Sequence, residues 1–199
     1  MKRFCIILFL FISSLSGYSQ TITAENFEVN FDTLLANLDK ENWEVTEKLS
    51  SDLLRYADSK PNLDLEAKGL RYMYLYSVAG LLNEKKLTKE KALEKIKPLK
   101  GKEMIMRILP FNSSCYINCI HLDKDRKDTF FSGVNNNNGT QIFSFEYVTI
   151  KNGISESEAE LEGKYISLRG KLNEIFVEGI TLPRFKLFFT EGTYEFMDQ

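Results

Sequence analysis

Few side chains in this sequence have both the type and the spacing for chemistry. Cys115 and Cys119 lie four apart, and the single histidine, His121, follows two residues later. Along a strand, four residues span about 13 Å, well past the ~7 Å Cα limit for a bridge. Two buried thiols are therefore the favoured expectation, and a Cys115–Cys119 disulfide needs a bulge or turn between them. Cys-x3-Cys is not a zinc spacing and no fourth ligand is evident, so no metal site is expected. With one imidazole and no Gly-x-Ser-x-Gly elbow, no nucleophile–base set can be assembled. His121 reads as a partly exposed residue at a strand end. Phosphate loops and dinucleotide fingerprints are missing, and no cofactor is implied. The segment Asp123 to Asp128 has the acids of a calcium loop. It lacks the glycine at the sixth place and the glutamate at the twelfth, where Val134 stands. It reads as a solvated hairpin turn. Glu156, Glu158, Glu160 and Glu162 sit where a helix dipole favours acids. The chain is expected not to be an enzyme. The remaining catalytic alternative is a hydrolase with an unrecognised carboxylate pair, because that spacing is a tertiary property.

A ligand face is suggested in the last third. Tyr165, Arg169 and Lys171 alternate along one strand, and Arg184, Lys186 and Phe188 along another. If the two strands pair in register, these six residues make one basic sheet face interleaved with aromatics, suited to an anionic glycan or a nucleic acid.

The positioning elements divide at Pro98 to Lys102, where hydrophobic periodicity changes from helical to alternating. Phe27, Phe31, Leu34, Leu35 and Leu38 predict a first helix. Trp43, Leu49, Leu53, Leu54 and Ala57 predict a second, stopped by Asp58 to Pro61. A third runs from about Leu63 to Asn83, with Gly69 and Gly80 suggesting close helix packing. Thr88 can cap a fourth. Such antiparallel helix pairs resemble tetratricopeptide-type units, although the Trp-x2-Leu-Gly-x2-Tyr signature is missing and Trp43 is followed by Glu44, Val45 and Thr46.

Beyond residue 102, strands are predicted at Met104 to Leu109, Cys115 to Leu122, Thr140 to Ile150, Lys164 to Leu172, Ile175 to Val177, Ile180 to Phe189 and Thr193 to Phe196. Asn138-Gly139 is a strong hairpin signal, with Phe143, Phe145 and Tyr147 on one face of the strand that follows. Glu178-Gly179 and Glu191-Gly192 are tight-turn candidates. The stretch Gly163-Lys164-Tyr165 through Gly170-Lys171-Leu172 resembles the opening of an oligonucleotide/oligosaccharide-binding barrel. The expected class is α+β: a helical bundle at 21–100, then a mostly antiparallel sheet or small barrel at 101–199.

Lys2-Arg3, the apolar run Phe4 to Ile12 and the small polar stretch ending Tyr18-Ser19-Gln20 read as a secretory signal covering 1–20. That ending resembles signals of Gram-negative envelope proteins. Cys5 lies inside the apolar run, so no lipoprotein box is formed, and the expected product is a free periplasmic or secreted protein. Removing Lys2 and Arg3 takes the net charge from −2 to −4, which argues against a globally basic nucleic-acid binder. Nothing after residue 20 is apolar for long enough to span a membrane. Residues 21–66 hold eleven acids against four bases, whereas residues 85–100 hold seven lysines against two acids. The expectation is a non-enzymatic binding or assembly module of the cell envelope. A protein partner would meet the helical half, around Tyr72, Tyr76 and Lys85 to Lys100. An anionic polymer on the β half is the alternative.

Overall fold

A computed structural model describes residues 21–198; the signal segment and Cys5 lie outside the described residues. Four helices come first: α1 (Phe27–Asp39), α2 (Trp43–Asp58), α3 (Asp64–Asn83) and α4 (Lys89–Ile96). Their bounds follow the local signals. Pro61 opens a 3-10 turn ahead of α3, and the Thr88 side chain accepts the Lys91 N–H at the start of α4. The strands are β1 (Glu103–Ile105), β2 (Leu109–Pro110), β3 (Ile120–Leu122), β4 (Thr129–Asn135), β5 (Ile142–Ile150), β6 (Tyr165–Glu178) and β7 (Arg184–Met197). A short helix, α5 (Glu158–Leu161), lies between β5 and β6. Its capping box pairs Ser157 with Glu160.

The fold is α+β, with helices covering one face of a seven-stranded, mostly antiparallel sheet of order β1-β6-β7-β5-β4-β3, and β2 also on β6. Among the described strands only β5 and β7 run parallel. The β1 and β3 edges approach each other through Phe111, which continues β2 and bridges Ile120. Asn112 N–H donates to the Ile120 carbonyl at 2.9 Å. The sheet therefore curls at that end around Phe111, Phe130 and Tyr194.

One core joins the portions at 21–100 and 101–199. Trp43, Leu75, Tyr76, Val78 and Leu82 from the helices pack with Phe143, Val148, Leu168, Phe185 and Leu187 from the sheet. Trp43 meets Tyr76 and Phe143 edge-on, at 5.3 and 5.2 Å between ring centroids. Gly80 makes this possible, because a Cβ there would collide with the Trp43 indole. A second cluster, including Phe27, Leu34, Leu53 and Leu70, holds α1, α2 and α3 together. The expectation of close packing fails at Gly69, where a Cβ would meet nothing within 4 Å.

Several strand expectations are corrected. Cys115 to Leu122 is not one strand: only Ile120 to Leu122 is extended, and Asn118 takes a positive φ. That turn brings the Cys115 and Cys119 Cα atoms to 6.1 Å, and the two are joined as a disulfide. The buried-thiol expectation failed because it assumed extended geometry. Phe143 does not share a face with Phe145 and Tyr147. Val134 pairs Ser144 while Asn135 pairs Ile142, so Phe143 is the extra residue of a bulge and turns toward the helices. The four predicted C-terminal strands are two long ones. Glu178-Gly179 does turn the chain between them, with Gly179 at φ +81°. Glu191-Gly192 does not: it is a bulge within β7, opposite Gly170.

Candidate functional site

β6 and β7 pair antiparallel, but their register separates the six predicted ligand residues. Arg169 opposes Thr193 and Lys171 opposes Thr190, whereas Arg184 opposes Glu178 and Lys186 opposes Phe176. Tyr165, Arg169 and Lys171 thus lie at one end of the hairpin, and Arg184, Lys186 and Phe188 at the other. Most of the positive charge is already engaged. Arg169 pairs Glu195 at 2.9 Å, Lys171 pairs Glu191 at 2.7 Å, and Arg184 pairs Glu178 at 3.0 Å. The β7 bulge is what presents Glu191 to Lys171. Tyr165 is half-buried between Pro110 and Met197, its neighbours across the sheet.

The Arg184, Lys186 and Phe188 end belongs to a larger arrangement. On the sheet face away from the helices, His121 of β3 pairs Phe131 of β4, Phe131 pairs Tyr147 of β5, and Tyr147 pairs Phe188 of β7. Successive ring centroids are 4.8, 4.9 and 4.8 Å apart, and Tyr147 and Phe188 stack with planes 14° apart. Tyr116 extends the row at the His121 end, at 4.9 Å, and Phe176 of β6 at the Phe188 end, at 5.9 Å. These two ends are the most open, at 54% and 51% exposure. Cations lie over the rings. Arg126 sits 4.7 Å from the Tyr147 centroid and 4.9 Å from that of Phe188. Lys186 reaches the same two rings, and Arg184 covers Phe145 at 4.9 Å.

Local structure fixes the Tyr116 end of this row and the guanidinium over Tyr147 and Phe188. Asp123, at the end of β3, accepts the backbone N–H groups of Asp125 and Arg126 and pairs the Arg126 guanidinium at 3.1 Å. The expected solvated turn therefore also aims Arg126 at the rings. The disulfide closes the loop carrying Tyr116, whose carbonyl accepts the Gly133 N–H at 3.1 Å. Asn118 N–H donates back to the Gly133 carbonyl at 2.7 Å. Gly133 is required, because a Cβ would press on the Tyr116 carbonyl. His121 is not partly exposed. It is 7% exposed, Nδ1 lies 2.8 Å from the Leu122 carbonyl, and Nε2 is buried without a partner among the described residues. Tyr116, His121, Arg126, Phe131, Tyr147 and Lys186 border a hollow of about 360 Å³ on this face.

The helical half differs from expectation at its tyrosines. Tyr72 and Tyr76 are 5% and 9% exposed. Their hydroxyls donate inward, Tyr72 to Glu146 at 3.1 Å and Tyr76 to the Asn135 carbonyl at 3.2 Å. Glu146 also accepts from Ser144 at 2.9 Å, and burial pushes its carboxyl up to about 7. Burial likewise raises Tyr76 to about 12. In the lysine-rich segment, Lys86 pairs Glu44 and Glu84, and Lys95 pairs Glu47.

Asp123, Asp128 and Glu156 share a hollow of about 270 Å³, but each already serves as a local acceptor. Asp123 holds its own turn, Asp128 takes the Ile154 N–H at 3.2 Å, and Glu156 takes the Tyr194 hydroxyl. Among the described residues, no group of three or more His, Cys, Asp or Glu side chains is arranged to hold a metal ion. Also among them, no helix is long and apolar enough to cross a membrane.

The aromatic row was missed in sequence because its members come from five strands. Its local traces were the alternation of Phe145 and Tyr147, the doublet Phe130-Phe131, and Phe188 beside Lys186 in the predicted ligand face. Compared with family models, with characterised proteins and with solved structures, the chain matches none.

Proposed function

We propose that this chain is a non-enzymatic binding or assembly module of the cell envelope, exported after removal of residues 1–20, and that it holds a protein partner on the outer face of its sheet. The observation that carries the reading is the in-register row His121–Phe131–Tyr147–Phe188 with Arg126 and Lys186 over it. Aromatics and arginine flanked by polar groups are the composition of interface hot spots. Among the described residues the helices pack on the other face, and the two ends of the row, Tyr116 and Phe176, are exposed. The test is capture from envelope extract by the wild type and by two surface variants, Tyr116→Ser/Phe176→Ser and Arg126→Ala. Loss of one specific partner in both, with unchanged melting temperature, supports the reading. Equal capture by all three proteins defeats it.

An anionic glycan or nucleic acid is the second reading. It rests on Lys186, the one basic side chain of the six predicted residues without an ion pair among the described residues. Binding that weakens steeply with salt would favour it over the protein partner.

A further inference from the structure

On the opposite side of the sheet, a cleft of about 390 Å³ opens between α1, α3 and the chain running from β1 to β2. Its walls are apolar, formed by Leu35, Leu38, Tyr72, Met73, Tyr76 and Met106. Volume and lining are those of small-molecule sites. Four observations set what it takes. Gly69 faces this cleft from the second turn of α3, and a Cβ there would stand in open space, so the glycine leaves the cleft deep and is not needed for helix packing. Arg107 lies 6.0 Å from the Tyr76 ring centroid at the cleft mouth and forms no ion pair among the described residues. The tyrosine hydroxyls are spent on Glu146 and Asn135, which leaves the inner wall without free polar groups from these two rings. Asp39, the only acid lining the cleft among the described residues, sits exposed in the last turn of α1.

We propose that this cleft binds a single-chain amphiphile, its apolar tail along α3 over Gly69 and its carboxylate head on Arg107. A guanidinium over an aromatic wall is poorly hydrated and matches a carboxylate in two-point geometry. Asp39 disfavours a head with more than one negative charge. The site is separate from the outer sheet face and does not depend on that face binding anything.

The experiment is calorimetric titration of the protein with dodecanoate below its micellar concentration, against dodecyltrimethylammonium of equal chain length. The expected result is one-to-one binding of dodecanoate, at least tenfold tighter than the ammonium analogue. Arg107→Gln should weaken dodecanoate at least tenfold and leave the analogue unchanged. Gly69→Leu should fill the cleft and abolish binding, with circular dichroism and melting temperature preserved. Absence of dodecanoate binding, equal binding of the two heads, or Gly69→Leu binding like wild type would each overturn the proposal. Arg107→Gln alters only an exposed side chain, so the head-group prediction stands even if the Gly69 variant fails to fold.

Discussion

The Tyr72 hydroxyl donates to the Glu146 carboxyl at 3.1 Å, joining the third helix to the middle of the sheet inside the shared core. Ser144 supplies a second donor at 2.9 Å. These two bonds hold Glu146 in one place and favour its charged form. Burial acts the other way and prevails, which leaves the carboxyl at about 7.

Stability should therefore fall between about pH 4.5 and pH 7. The folded state holds this proton more tightly than the unfolded chain, whose carboxyl titrates near 4.5. Across that window the native protein binds more protons, so its advantage is full at the acid side and is lost as pH rises through 7. The Glu146 contribution is on the order of 3 kcal/mol. Denaturant titrations of wild type and Glu146→Gln across the window check this. The variant keeps an acceptor oxygen for Tyr72 and Ser144, and its slope should be flatter by that amount.

Replacing Gly80 with alanine should destabilise the protein, although alanine is the better helix former. The added methyl would collide with the Trp43 indole, and overpacking of this kind costs about 1–3 kcal/mol. Gly69→Ala on the same helix meets no atom within 4 Å among the described residues beyond its own helix backbone and should stabilise by about 1 kcal/mol. Urea midpoints of the two variants, moving in opposite directions, are the readout.

Removing the Cys115–Cys119 bridge as a double serine variant should cost about 2 kcal/mol on a chain-entropy basis. It should also release the loop from the fourth strand. Hydrogen exchange at Gly133 and Asn118, whose backbone groups bond across that contact, should accelerate more than exchange at Val148 in the core.

Arg126 and Tyr147 should be energetically coupled. Their 4.7 Å approach on a partly exposed face predicts about 0.5–1 kcal/mol in a double-mutant cycle with Arg126→Ala and Tyr147→Leu. High salt should reduce the coupling only slightly, since the guanidinium rests against the ring.

Local patterning decided much of this molecule. Phe27 to Leu38 and Trp43 to Ala57 show the 3.6-residue stripe that a buried helix face requires. Pro61 and Asn138-Gly139 act through their own backbones and Thr88 through a side chain that accepts the Lys91 N–H, so each marks an end or turn from local sequence. The change of period at Pro98 to Lys102 separates helix from strand, because side-chain periodicity is set by backbone geometry alone. Tertiary structure decided what depends on contacts between distant segments. Cys115 and Cys119 meet because Asn118 leaves the extended region where β4 receives the loop. Phe143 leaves the face of Phe145 because Trp43 and Tyr76 receive it across a bulge. Glu191 faces Lys171 because the Glu191-Gly192 bulge shifts the register of two strands of equal length. The row from His121 to Phe188 exists only in the register of four strands, and register is fixed by which face the core buries, a choice made by the whole chain at once.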